Sequence, residues 1–405
     1  MFTHSDGSVA FLQRNDLHEA WQRAFSPVLA AARFRFLILA LGVLGLSWLH
    51  RTVYPGDTVQ FAHYGRELIS GHWGSVYPDS WNQGGPIELV AALPFHPTGN
   101  GPGSPLVLHL VGNTAATAVV LAAARVCRHA HGRAVSPVAE LLTGIVVLVG
   151  VEPMLWKGHL AELLIPALWL LAAERVRRGR SSTAAVLIGL SAGVETWGIL
   201  ALPLLLADGG IRRVIRSGVL AVGIALAQYL PFALSGRFGM FGHVWPIGPF
   251  TWVHWLWPHA EGFTWSMRVG QGALTMLGSA AVVVALRRRP DGIWVAPLAV
   301  LLLRMLADPT QYAYYWNSVL LVVLVGVGTL SRATPLPVIV GMLALAYLPF
   351  LRGDAESFRY LVLLETLFMA LIAWLLRADG GPVLCSASPP AGGGSRGGTR
   401  PWLSP

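Results

Sequence analysis

The chain has 405 residues and a net charge of +9, with 54% hydrophobic and 12% charged residues. Soluble globular proteins carry about 25% charged residues, so this composition excludes an ordinary water-soluble domain. The basic surplus does not mark a nucleic-acid partner, because the arginines fall in short clusters between apolar runs, the pattern that orients a membrane protein in the lipid bilayer.

Residues 1–33 carry Asp6, Arg14, Asp16, Glu19 and Arg23 ahead of any long apolar run, so they read as a cytoplasmic N-terminal segment and not as a cleaved leader. A span needs about 20 apolar residues, with a range of about 17–25. On that measure the pattern predicts spans near 34–50, 104–124, 135–151, 160–174, 214–234, 265–286, 292–307, 316–330, 336–350 and 359–376. They form one transmembrane domain over 34–378, followed by a Gly/Ser/Pro-rich stretch, 379–405, that reads as a disordered cytoplasmic tail. One set of loops and termini collects 21 of the 29 basic residues, which puts both termini in the cytoplasm. Cys127 and Cys385 fall on that same side, so no disulfide is expected.

The stretch 181–211 is apolar but has arginine clusters at both ends. Its two runs, Ser182–Val194 and Trp197–Ala207, each rise only about 16–20 Å as helix, short of about 30 Å of hydrocarbon. This predicts a two-helix hairpin with Glu195 at its tip, the alternative being one long span with a misplaced cluster. The expected fold class is therefore an all-α polytopic membrane protein of about 10 spans plus a short hairpin, with external loops 51–103 and 235–264.

The first external loop holds the densest chemistry. Asp57 stands just beyond the first span, a helix-like stretch Thr58–Ile69 follows, then a G-x-W-x-x-V-Y turn over Gly71–Tyr77, then Gln83-Gly84-Gly85-Pro86. The stretch Tyr54–Val90 resembles the polyprenyl-phosphate-sugar-dependent glycosyltransferases of the GT-C superfamily, and more narrowly glycosyltransferase family 87, which includes mannosyltransferases of phosphatidylinositol mannoside synthesis. The resemblance implies a GT-C-like bundle in a bacterial plasma membrane, with the active face outside. It also implies inverting transfer of a sugar, with mannose favoured, from a polyprenyl-phosphate donor to a lipid or glycan acceptor. Asp57 occupies the place of the family's catalytic base; its neighbours Gly56 and Thr58 are not acidic, and no metal or other cofactor is expected.

One carboxylate suits that chemistry, because the acceptor hydroxyl needs a base while a phosphate leaves readily. The departing phosphate needs cationic or hydrogen-bonding partners, for which the candidates are Lys157, His159 and Arg304. Substrate contacts are expected from Gln83, Glu195, His243, Gln311 and Tyr315. Each has a plainer alternative. Asp57 could cap the following helix, Lys157 and His159 could be interfacial anchors, and Arg304 could pair with Asp308 one helical turn on. Trp245, Trp252, Trp255, Trp257 and Trp265 could stack on a sugar or form an interfacial aromatic belt, and His243, His254 and His259 have no recognised zinc spacing. The competing functions are a transporter or lipid flippase, and a non-catalytic lipid-binding protein.

Overall fold

The computed structural model describes residues 30–53, 56–96, 105–130, 159–287, 292–310, 312–323 and 362–370, with Ser26, Pro27, Val325 and parts of 137–148. The described residues are helical, with no strand among them. We number the α-helices α1 Arg35–Leu49, α2 Gly56–Ile69, α3 Pro86–Ala92, α4 Pro105–Ala130, α5 Ala161–Arg177, α6 Ser181–Val194, α7 Ile211–Leu234, α8 Trp252–Leu256, α9 Trp265–Leu286, α10 Ala296–Leu306 and α11 Trp316–Val322. A 3₁₀ helix, Thr196–Asp208, lies between α6 and α7. Of the expected spans, 336–350 lies outside the described residues and 135–151, 316–330 and 359–376 only partly within them.

Among the described residues, three helices are long and apolar enough to cross a membrane: Pro105–Val126, Ile211–Leu234 and Trp265–Leu286. Ile211, Ile215, Val219, Leu226, Leu230 and Leu234 of α7 are exposed and recur every four or seven residues, so they form one outward stripe. Leu37, Leu41, Leu44 and Trp48 do the same on α1, and Val269, Leu277 and Val284 on α9. Apolar faces of this extent are stable against lipid and not against water.

The centre of the bundle is built by α5, the 181–208 hairpin, α10 and α11 around fully buried Trp169, Trp294 and Trp316. To one side α1 packs on α4. Glu140 draws these two helices together by accepting from Arg35 Nε and Arg125 Nε at 2.5 Å each.

The hairpin closes as expected. Chain direction reverses at Glu195, whose backbone is extended (φ −152, ψ 149). At the far end Ser181 donates to the Asp208 carboxylate, which also pairs with Arg213 at 3.1 Å. The flanking arginine clusters therefore sit at the same end of the hairpin. Its second arm differs from the expected α-helix. Thirteen residues of 3₁₀ helix rise about 2.0 Å each, about 26 Å in all, so this arm reaches deeper than an α-helix of equal length. Two features disfavour α geometry there. Pro203 has no N–H to donate, and the Gly198 carbonyl is taken by Trp169 Nε1 and Ser191 Oγ, both at 2.9 Å.

The hairpin tip meets the loop between α2 and α3 through its glycines. Gly84 bridges Glu195, and the Gly85 N–H donates to Val194 O at 2.7 Å. A Cβ on Gly85 would lie 2.2 Å from Gly193 O and 2.7 Å from the Tyr229 hydroxyl. The helix α3 that follows begins with Pro86 at its first position, a start signal that the expected Gly/Pro-rich run concealed. Its buried Glu88 accepts from the Ala161 N–H at 3.0 Å and so fixes the start of α5. The second external loop joins the first, with Gly239 N–H donating to Tyr77 O at 2.8 Å and Gln83 Nε2 to Met240 O at 3.0 Å.

Gly85→Ala is expected to force this junction apart, at a cost of about 1–3 kcal/mol. Gly45→Ala, where a Cβ meets nothing within 4 Å, should be neutral or slightly stabilising. Melting curves of the two purified variants check this; equal melting temperatures would count against the junction.

Candidate functional site

A cavity of about 660 Å³ opens where the hairpin tip, α2, α9, the end of α10 and the two external loops converge. Asp57, Gln83, His159, Glu195, His243, Arg304 and Tyr315 all line it, so the fold gathers seven of the nine candidate residues into one space. The other two, Lys157 and Gln311, lie outside the described residues.

Asp57 belongs to the first turn of α2, which begins at Gly56 and not at Thr58. Its carboxylate reaches across to another element instead of capping its own helix. Oδ2 pairs with His159 Nε2 at 3.0 Å, and the Asp57 side chain is still 38% exposed. The His159 ring stacks on Tyr314 with centroids 4.3 Å apart and planes 7° apart, and Tyr314 stacks in turn on Tyr312 at 5.3 Å. His159 stands two residues before α5, whose start is held by Glu88. The loop that carries Asp57 thus also positions its partner, so His159 belongs with the candidate base rather than standing apart as a phosphate ligand.

Arg304 is neither exposed nor paired as the local spacing implied. Its NH1 lies 3.3 Å from the Glu162 carboxylate, with the two side chains 6% and 2% exposed. Trp197 and Tyr315 flank the guanidinium at 3.8 and 4.8 Å from their ring centroids. Glu162 also accepts from the Ser318 hydroxyl. Asp308 pairs instead with Arg268, at 3.0 Å. The reason is that α10 ends at Leu306, so Asp308 has left the helical register that would have set it above Arg304.

Arg268 is the cavity cation that sequence reading missed. It stands in the first turn of α9, beyond the arginine clusters, and reads there as an ordinary border residue. Its bonds to Gln271 (2.7 Å) and Asp308 both leave from NH1, so they do not use the Nε–NH2 edge. The guanidinium lies 4.4 Å from the Trp245 ring centroid. Glu162, Trp81, Trp197, Tyr312 and Tyr314 are further lining residues with no motif to mark them.

The remaining expected contacts differ in character. Gln83 Nε2 is used in the loop framework, donating to Ser80 O at 2.7 Å and to Met240 O. Glu195 accepts from Trp197 Nε1. Burial, reinforced by the Arg268 charge, holds the His243 imidazole below its ordinary range, against a backbone hydrogen bond at Ser80 that raises it. His243 therefore enters the cavity as a neutral ring able to hydrogen-bond a hydroxyl. The five tryptophans divide: Trp245 and Trp265 line the cavity, while Trp252, Trp255 and Trp257 point out of the protein.

The cavity is polar at one end and apolar at the other. Asp57, His159, Gln83, His243 and Arg268 form the first end; Ile199, Leu200, Gly272 and Met276 form the second. From Trp265 to Met276 the lining runs about 16 Å along α9. Val269, beside Arg268 in the first turns of α9, lines the cavity and is 66% exposed. Such a space matches an amphipathic ligand with a polar head and a long apolar tail.

The buried Arg304–Glu162 pair frames the cavity. Removing one partner strands the other charge, so Arg304→Ala is expected to cost about 3–5 kcal/mol of stability. The double variant Arg304→Met/Glu162→Gln should recover much of the loss, because neither charge is then left alone. A thermal-melt double-mutant cycle checks this, and additive losses would contradict the pairing.

No family model and no curated protein matches this chain, so the geometry of the cavity carries the functional reading.

Proposed function

We propose that the chain is a multi-pass membrane glycosyltransferase that moves a sugar from a polyprenyl-phosphate donor to a lipid or glycan acceptor. The observation that carries this reading is the amphipathic cavity, with the Asp57–His159 pair at its polar end and an apolar lining that continues along α9 to Met276. A prenyl chain enters along α9 from the lipid while the sugar phosphate reaches the external loops. In this reading about ten spans make a GT-C-like bundle and both termini are cytoplasmic. The hairpin enters and leaves on the cytoplasmic side, which is supported by its two arginine clusters lying at one end and its tip meeting the Asp57 loop at the other.

The acceptor hydroxyl gives its proton to Asp57 as its oxygen attacks the anomeric carbon. The carbon–oxygen bond to the phosphate breaks, and its electron pair leaves on the phosphate. One displacement inverts the anomeric centre. His159 holds Oδ2 of Asp57, so Oδ1 is the atom left to meet the acceptor. Arg268 is the direct partner of the departing phosphate, because a guanidinium edge presents two parallel N–H donors to an oxyanion. Lys157, which lies outside the described residues, stays a further candidate cation from the sequence. Arg304 contributes a fixed charge that Glu162 already balances. Trp81 and Trp245 offer flat apolar faces for the sugar ring, and mannose is the sugar favoured by the sequence resemblance.

A site for alternating access would lie near the middle of the bilayer, whereas most of these polar groups come from external loops and helix starts. Mass spectrometry of membrane glycolipids and envelope glycans from cells with and without the gene is expected to reveal one glycoform that disappears with it. An unchanged glycan profile, alongside altered distribution of a lipid or solute across the membrane, would favour the transporter instead.

A further inference from the structure

The loop 235–264 projects an aromatic lobe whose tip, residues 250–257, does not line the cavity. From Val244 to Pro258 the sequence VWPIGPFTWVHWLWP holds no Asp, Glu, Lys or Arg. Its short helix α8 presents Trp252, Trp255, Leu256 and Trp257 outward, at 43, 62, 64 and 52% exposure.

These side chains are held in place. Thr251, almost fully buried, caps α8 by accepting from the His254 N–H at 3.2 Å. Val253 is buried beneath the helix, and the Gly248 N–H donates to Pro309 O at 2.8 Å. The Trp245–Phe263 bridge closes the lobe at its base, two residues before α9 begins. The lobe therefore springs from the mouth of a membrane-length helix whose first turns already expose Val269.

A second copy of this chain is a poor occupant. The four outward side chains offer roughly 400–500 Å², against about 800 Å² per partner in a standard interface. An aqueous partner would also be expected to meet some charge. Tryptophan and leucine on an uncharged, proline-bounded helix suit the boundary between headgroups and acyl chains, where an indole keeps its ring in the apolar layer and its N–H near water.

We infer that the 250–257 lobe is a membrane-docking surface that seats in the interfacial layer of the bilayer. The other end of the same loop carries Trp245 into the cavity. Docking of the lobe thus fixes the rim of the cavity against the bilayer from which an amphipathic ligand would enter. This inference depends on α9 crossing the membrane and not on the transferase reading.

The test is nitroxide labelling in a background with Cys127 and Cys385 replaced by serine, reconstituted in phosphatidylcholine–phosphatidylglycerol vesicles. Labels go on Leu256→Cys in the lobe and on Glu261→Cys, an exposed acidic position at its base. Collision with oxygen should dominate at 256, and collision with a water-soluble nickel chelate at 261. If Leu256→Cys fails to fold, Trp252→Cys is read in its place. Dominance of the nickel chelate at the lobe position would overturn the inference, because the lobe would then stand in water. Shielding from both reagents would overturn it equally, because a protein surface would then cover the lobe.

Discussion

The candidate site depends on one close backbone contact, the seating of Gly84-Gly85 on Gly193–Glu195 at the hairpin tip. Without a Cβ on Gly85, the loop after α2 lies flat on the tip and α3 can start directly afterwards. α3 then delivers Glu88 to the start of α5, and that start carries His159 to Asp57. A short chain of contacts thus brings four separate segments to one place. A glycine that looks like punctuation in the sequence, Gly85, is the condition for the geometry of the Asp57–His159 pair.

Three acidic side chains around the cavity are paired across separate segments of the chain. Asp57 meets His159, Glu162 meets Arg304 and Asp308 meets Arg268. Each joins parts of the chain far apart in sequence, and the last two place one member almost wholly out of solvent. Buried pairs of this kind contribute little net stability but are costly to break. They hold the wall between the hairpin, α5, α9 and α10 in a single arrangement. The Asp57–His159 pair is the more open of the three, which leaves its carboxylate accessible to a ligand in a way the Glu162 carboxylate is not.

Much of this was legible in the sequence, and what was hidden has identifiable causes. Apolar runs gave α7 and α9 within a few residues, because both are long and uninterrupted. Arginine clusters gave the hairpin, because charge at both ends of a short apolar pair forbids a single crossing. Asp57, Gln83 and Glu195 stood out through glycine, proline and acid in an apolar setting. The 3₁₀ form of the second arm was hidden, since it depends on where Trp169 and Ser191 place their donors. The true partners of Arg304 and Asp308 were hidden as well: spacing marked a local pair, and only the end of α10 at Leu306 undoes it. Arg268 and Glu162 carry no motif, and their place in the site follows from packing alone.

The central claim is that Asp57 acts as the base of a lipid-linked sugar transfer. It is tested most directly by turnover of purified wild-type and Asp57→Asn protein with a polyprenyl-phosphate mannose donor and an extract of the native membrane lipids as acceptor, beside a thermal melt of each. Asparagine keeps the shape and the hydrogen bond to His159 but cannot take a proton. The account predicts measurable transfer by the wild type and a loss of about 10²–10⁴-fold in the variant with folding intact. Near wild-type turnover in Asp57→Asn, or no transfer by a well-folded wild type across lipid-linked sugar donors, would contradict it.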